Sequence, residues 1–247
     1  MDRNMLVVSA HAADWCTRAG GTIIKYVNAG WDVTVFAYTF GEHGESGAYW
    51  KGNPAGTVDE CKKIRRREAG DAAAFIGIKK IEFFDFGDYP LAFPETEIRK
   101  LTGRILEIRP AVILTHWNED PFNMDHEVTS KAVVRAAASA GMTGALPDTP
   151  AHYIPDIFFF ETTIPMSEFN RFSIDTYVDI EDVFDEKIEA VKRFAVQPQL
   201  VDYYTRCALS RGAQAHDWAR GRRTIKYAEA FKRYVPFVGD ELPLTRL

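Results

Sequence analysis

The chain has 247 residues, of which 46% are hydrophobic and 26% charged, with a formal net charge of −5. Such a composition excludes a disordered or fibrous protein, and the acidic balance argues against a nucleic-acid partner. Cys16, Cys61 and Cys207 are spaced too widely for a C-x-x-C metal site or a disulfide framework, so they are expected to be reduced thiols of a cytoplasmic protein.

In chain order, the apolar run 5–10 predicts a buried strand, too short for a signal peptide, and 17–29 predicts a helix closed by Gly30. A strand over 31–40 leads into a glycine-rich loop, 41–57. A helix over 58–76 follows with a basic stretch, KKIRRRE, in which Arg65–Arg67 read as a solvated face or a subunit contact. Then come a strand at 80–86, a helix at 94–108, a strand at 111–115, a polar loop, a helix at 126–140 and a strand at 156–162. No run is long enough to span a membrane, so no membrane partner is expected. The alternation predicts an α/β fold, a Rossmann-like and mostly parallel sheet with helices on both faces. Past 165 the pattern changes. An edge or antiparallel strand is expected at 172–180 and helices at 181–194, 200–214 and 224–235, giving a C-terminal helical extension (166–247) on the core (1–165) of a single domain.

Open α/β sheets bind ligands beyond the C-terminal ends of their strands. Three loops there carry chemistry. The first has His11 and Asp14, the second Glu42, His43 and Glu45, and the third His116, Asp120, Asn123, Asp125 and His126. Two imidazoles and a carboxylate from two loops suit a metal site with an open position, Zn²⁺ by default and Fe²⁺, Co²⁺ or Mn²⁺ as acceptable alternatives. Taken singly, Asp14 and Asp125 suit helix N-caps equally well, and a histidine after a strand suits a plain loop residue.

HAADW followed by AGG, and NMDH, resemble the H-P-D-D-E…GG and H-P-D-H motifs of the PIG-L/LmbE family of metal-dependent deacetylases. The resemblance implies that fold and assigns the metal ligands to His11, Asp14 and His126. It places the family's general base at Ala13 and its other catalytic histidine at Asn123, so the ligand set is kept and the deacetylase base is not. GEHGES, FFDFGDYP, DPFNMDH and YYTRCALSRGAQA resemble the hydratase branch of that family, which acts on 4-oxalomesaconate. This second likeness implies a hydro-lyase that adds water across a C=C bond of a small unsaturated keto or enol polycarboxylate from aromatic ring cleavage. An N-deacetylase of an amino sugar is the alternative. On the hydratase reading Glu45 is the first candidate for proton transfer, Asp125 orients its neighbours and Asn123 holds a substrate oxygen. Arg18, Arg206 and Arg211 are the candidate cations for substrate carboxylates, with Arg211 preferred. The hydratases carry a histidine near the position of Thr163, and His43, His116 or His216 would stand in for it. The family likeness also suggests a homo-oligomer.

Overall fold

A computed structural model describes residues 3–154, 156–165, 168–220 and 222–241. Its centre is one seven-stranded sheet of β1 (Asn4–Ser9), β2 (Asp32–Ala37), β3 (Lys80–Phe83), β4 (Val112–His116), β5 (Asp156–Phe160), β6 (Thr176–Asp179) and β7 (Ala228–Arg233), in the order β3-β2-β1-β4-β5-β7-β6. The first five strands run parallel, while β7 is antiparallel to both β5 and β6. The strands of the parallel set are apolar because both faces are covered. On one face α1 (Asp14–Asn28), α3 (Val58–Phe75), α6 (Phe184–Val191) and α7 (Leu200–Trp218) enclose Met5, Val7, Val35 and Leu114. On the other, α4 (Glu95–Ile108) and α5 (Met124–Ala140) enclose Leu6, Val8, Phe36 and Ile113.

Strand order reverses between β1 and β4, the position where open sheets of this kind leave a crevice. Ser9 pairs with Ala37 and Val7 with Leu114, so the segments leaving β1, β2 and β4 emerge side by side. The three polar loops of the sequence therefore meet at one edge.

The C-terminal extension is not purely helical. Residues 224–235, expected as a helix, contain strand β7. Its YAEAFKR composition is rich in helix formers, but pairing with β5 on one side and β6 on the other overrides local preference. The antiparallel strand expected at 172–180 is present as β6 at the sheet edge. Loop 41–57 contains a short helix, α2 (Gly47–Gly52).

The glycine pair of RAGG has a packing reason. A Cβ on Gly21 would stand 2.8 Å from the Ile180 side chain, and one on Gly20 would touch Lys187. Their absence lets α1 press against the extension. Glu229 of β7 then accepts the N–H groups of Gly21 and Thr22 at 2.9 and 2.7 Å and pairs with buried Lys187 at 2.7 Å.

Candidate active site

Three metal-ligand candidates converge at the crevice. Asp14 opens α1 but caps nothing: position 13 is the N-cap and makes no side-chain bond. One Asp14 oxygen, Oδ2, accepts the His11 N–H at 2.8 Å and lies 3.2 Å from His11 Nδ1. The other, Oδ1, lies 3.5 Å from His126 Nε2. All three residues are buried, and Glu45 on the loop after β2 brings Oε1 to 3.3 Å from His11 Nδ1. One donor atom from each of His11, Asp14, Glu45 and His126 lies within 4.8 Å of the others.

The remaining ring nitrogens are committed elsewhere. His11 Nε2 faces Asp125 Oδ2 at 3.2 Å, and His126 Nδ1 faces Asp120 Oδ2 at 2.8 Å. Carboxylates on the far side of both imidazoles fix the rings and turn His11 Nδ1 and His126 Nε2 inward. Those two nitrogens are buried and have no hydrogen-bond partner. Buried polar atoms are nearly always satisfied, so two orphans aimed at one ionised carboxylate fit a cation. Burial opposes ionisation of Asp14, but His126, His116 and His11 outweigh it and hold the carboxyl well below its usual range. Burial likewise opposes a proton on His11, yet Glu45, Asp125 and Asp14 hold its pKa well above the ordinary value, so a metal entering here takes the place of a proton.

Asp125 is occupied on both oxygens: besides His11 it takes the N–H groups of Tyr89 at 3.0 Å and Leu91 at 2.9 Å. Asp120 takes the N–H and hydroxyl of Thr163 at 2.7 and 2.9 Å. Burial works against its ionisation, but His126 and Arg18 bring its pKa down to about 2. Asp120 Oδ1 accepts the Phe122 N–H at 3.3 Å, so both oxygens of each carboxylate have partners and their geometry is that of orienting groups. Replacing Asp120 or Asp125 by asparagine is expected to weaken metal binding about tenfold to hundredfold while the fold persists, measured by competition with a metal-sensitive chelator.

The other expected residues separate. Asn123 precedes α5, buried, with Oδ1 unpaired beside the ligand helix. Arg18 reaches Asp14 Oδ1 at 3.5 Å and donates to the carbonyls of Glu161 and Thr162, both at 2.7 Å, tying α1 to the end of β5. Arg211 points inward as expected but is held by Glu161 in a two-pronged pair, with Gln214 on its third nitrogen. Arg206 is not at the site: it is exposed and pairs with Asp202 one turn away. His116 is buried at the end of β4, its Nε2 3.4 Å from Asp14 Oδ2. Its Nε2 accepts the Ala10 N–H at 2.9 Å and its ring stacks on His126 at 4.0 Å. Burial and the neighbouring His126 push its pKa down to about 3, so it stays a neutral prop. His43 is exposed beside Glu42 and Asp88, apart from the candidate ligands, and His216 is half-buried on α7 against the Arg223 carbonyl.

Arg65 escaped the sequence reading. It is fully buried, and its Nη2 lies 4.0 Å from Glu45 Oε2. The signal was present: Cys61, Arg65, Ala69 and Ala72 share the buried stripe of α3, whereas Arg66 and Arg67 are exposed.

The family model described as PIG-L, GlcNAc-PI de-N-acetylase, matches residues 6–137. The 4-oxalmesaconate hydratase of Pseudomonas putida is 36% identical over 242 residues, covering 97% of this chain and 92% of the relative. The crystal structure of GalB, the 4-carboxy-2-hydroxymuconate hydratase of Pseudomonas putida, superposes with a TM-score of 0.92 at 36% identity, over 97% of this chain and 99% of that one. Diacetylchitobiose deacetylase of Thermococcus kodakarensis is 26% identical over 90% of this chain and 83% of its own. The strand ends that carry the candidate ligands, the two-sided α/β sheet and these likenesses agree, and the chain belongs to the PIG-L family.

Proposed function

We propose that this protein is a metal-dependent hydratase that adds water reversibly across the C=C bond of a small unsaturated keto or enol polycarboxylate of the 4-oxalomesaconate type. The observation that carries the reading is the near full-length likeness to a hydratase of that substrate class. Position 13 supports it. A deacetylase of this family needs its base there, and Ala13 can take no proton.

His11, Asp14 and His126 would hold the metal, with Zn²⁺ the proposed ion and Fe²⁺, Co²⁺ or Mn²⁺ compatible with the same donors. When bound, the metal supplies positive charge that favours the anionic character developing on a 2-keto or 2-hydroxy carboxylate as water adds. Asp125 and Asp120 keep the two imidazoles in register. Glu45 carries the proton: hydration places hydroxyl on one carbon and a proton on its neighbour, and the carboxylate beside His11 is the group that can exchange it. Asn123 is the group for a substrate oxygen. Arg18 lies 3.5 Å from Asp14 Oδ1 and Arg65 4.0 Å from Glu45 Oε2, and these cations supply the positive surroundings a polyanion requires.

The proposal extends to a cytoplasmic homo-oligomer in which residues 1–247 work as one domain. Three free cysteines suit a reducing compartment, and exposed Met124, Tyr153 and Trp218 offer apolar surface for self-association.

Metal-loaded protein is expected to bleach the conjugated chromophore of 4-carboxy-2-hydroxymuconate, and a chelator to stop it. N-acetylglucosamine conjugates serve as control. Bound metal with an unchanged chromophore would reject the substrate class, and acetate released from the conjugates would put a deacetylase in its place.

A further inference from the structure

A buried arginine aims one unsatisfied N–H at the carboxylate assigned to proton transfer. Arg65 lies on α3 with no exposed surface. Its Nε donates to the Phe40 carbonyl at 2.9 Å, and its Nη1 to Glu68 Oε2 at 3.2 Å. Its guanidinium lies 5.6 Å from the centre of the Phe194 ring. Glu68 is fixed in turn by the Val196 N–H at 3.0 Å. Stem, helix and C-terminal extension thus lock the guanidinium in place. The remaining arm, Nη2, is buried and has no hydrogen-bond partner. The carboxylate oxygen it faces is Glu45 Oε2, at 4.0 Å.

Leaving a charged donor buried and unpaired is costly. Here the cost falls where it can serve a purpose. Glu45 stands between two stations, with Oε1 at 3.3 Å from His11 Nδ1 and Oε2 toward Arg65. Phe40 is the stem of the Glu45 loop, and the next residue, Gly41, turns the chain at φ +70°. A Cβ there would crowd the Glu45 Cβ at 3.0 Å and its Oε2 at 3.3 Å. The guanidinium therefore grips the loop at its stem and faces the carboxylate at its tip. A fixed donor 4.0 Å from Glu45 Oε2 can set where that carboxylate stands.

We propose that Arg65 is a positioning residue: its free Nη2 N–H receives Glu45 Oε2 and holds the carboxylate at the reacting carbon. This rests on the reading of Glu45 as the proton carrier. The bland competitor is an arginine that serves only to neutralise Glu68 and stiffen α3.

The test is a cycle on the metal-loaded protein with 4-carboxy-2-hydroxymuconate, with metal content and melting temperature measured for every variant. Arg65→Gln is expected to lower kcat about tenfold to hundredfold with KM nearly unchanged and metal retained, the cost of a misplaced reacting group. Arg65→Lys restores part of that loss. In an Arg65→Gln, Glu45→Gln double variant, kcat is no lower than in Glu45→Gln alone, because Arg65 acts through Glu45. Glu68→Gln breaks the same ion pair but leaves Nη2 in place, and keeps kcat near the parent. If Arg65→Gln fails to fold because Glu68 is left uncompensated, Arg65→Gln with Glu68→Gln takes its place. Multiplying losses in the double variant, an unchanged kcat in the Arg65 variants, or an equal loss in Glu68→Gln each overturns the proposal while Glu45 keeps its role. Full turnover in Glu45→Gln instead removes the reading of Glu45 itself.

Discussion

Asp14→Asn is expected to empty the metal site and to lower turnover by at least about a thousandfold, since metal assistance contributes several kcal/mol and each 1.36 kcal/mol is tenfold. Asparagine keeps the shape and retains an oxygen for the His11 N–H, so the start of α1 stays in place. What it removes is the negative charge between two inward-facing imidazole nitrogens, 3.2 and 3.5 Å away. Three histidines hold that carboxyl ionised against the penalty of burial, an arrangement with no use for a neutral amide. A capping role would give a different result, about 1 kcal/mol of lost stability with metal content intact. Metal analysis of the purified variant beside its turnover separates the two. A full equivalent of bound metal at parental rate takes Asp14 out of the ligand set.

The residues proposed as ligands were legible in the sequence because each motif is local. His11 and Asp14 are three residues apart at a strand end, and Asp125–His126 opens a helix after another. Apolar runs located the strands, and the parallel order placed the two ends side by side. The orienting pairs were half legible. Asp120 was visible in the polar loop, but its hold on His126 depends on a loop conformation that spacing does not encode. Arg65 was misread because KKIRRRE looks like a solvated face, and only the helical stripe through Cys61 and Ala69 distinguishes the inward arginine from its neighbours. The same logic sorts α7. Arg211 lies with Ala208 and Ala215 on the buried face, while Arg206 turns out to Asp202. That Arg211 is already engaged by Glu161 is a long-range fact, 50 residues apart, which no local pattern reports. The misread strand β7 failed for a similar reason, since its partners are β5 and β6 rather than its own neighbours in sequence.

Glu45→Gln is expected to cut kcat about a hundredfold to ten-thousandfold, the usual loss when a general acid or base is removed, with KM near the parent and metal retained. The choice of Glu45 over its neighbours rests on access and on free valence. A group that shuttles a proton must exchange it with solvent. The side chains of Asp14, Asp125 and Asp120 are 4%, 3% and 1% exposed, whereas Glu45 is 15% exposed. Asp125 and Asp120 also have their oxygens taken by main-chain N–H groups, a hydroxyl and the ring nitrogens they orient. Two other positions of the family pattern offer nothing in exchange. Ala13 has no proton to give, and the Thr163 hydroxyl is spent on Asp120. Glutamine preserves the size and the polar contacts of Glu45 but cannot change protonation state, so a loss confined to kcat points to proton transfer. Loss of metal instead would make Glu45 a fourth ligand, which its 3.3 Å approach to His11 Nδ1 also permits geometrically. Turnover at the parental rate with metal bound would move the proton to a group outside the ligand cluster, and the positioning role of Arg65 would fall with it.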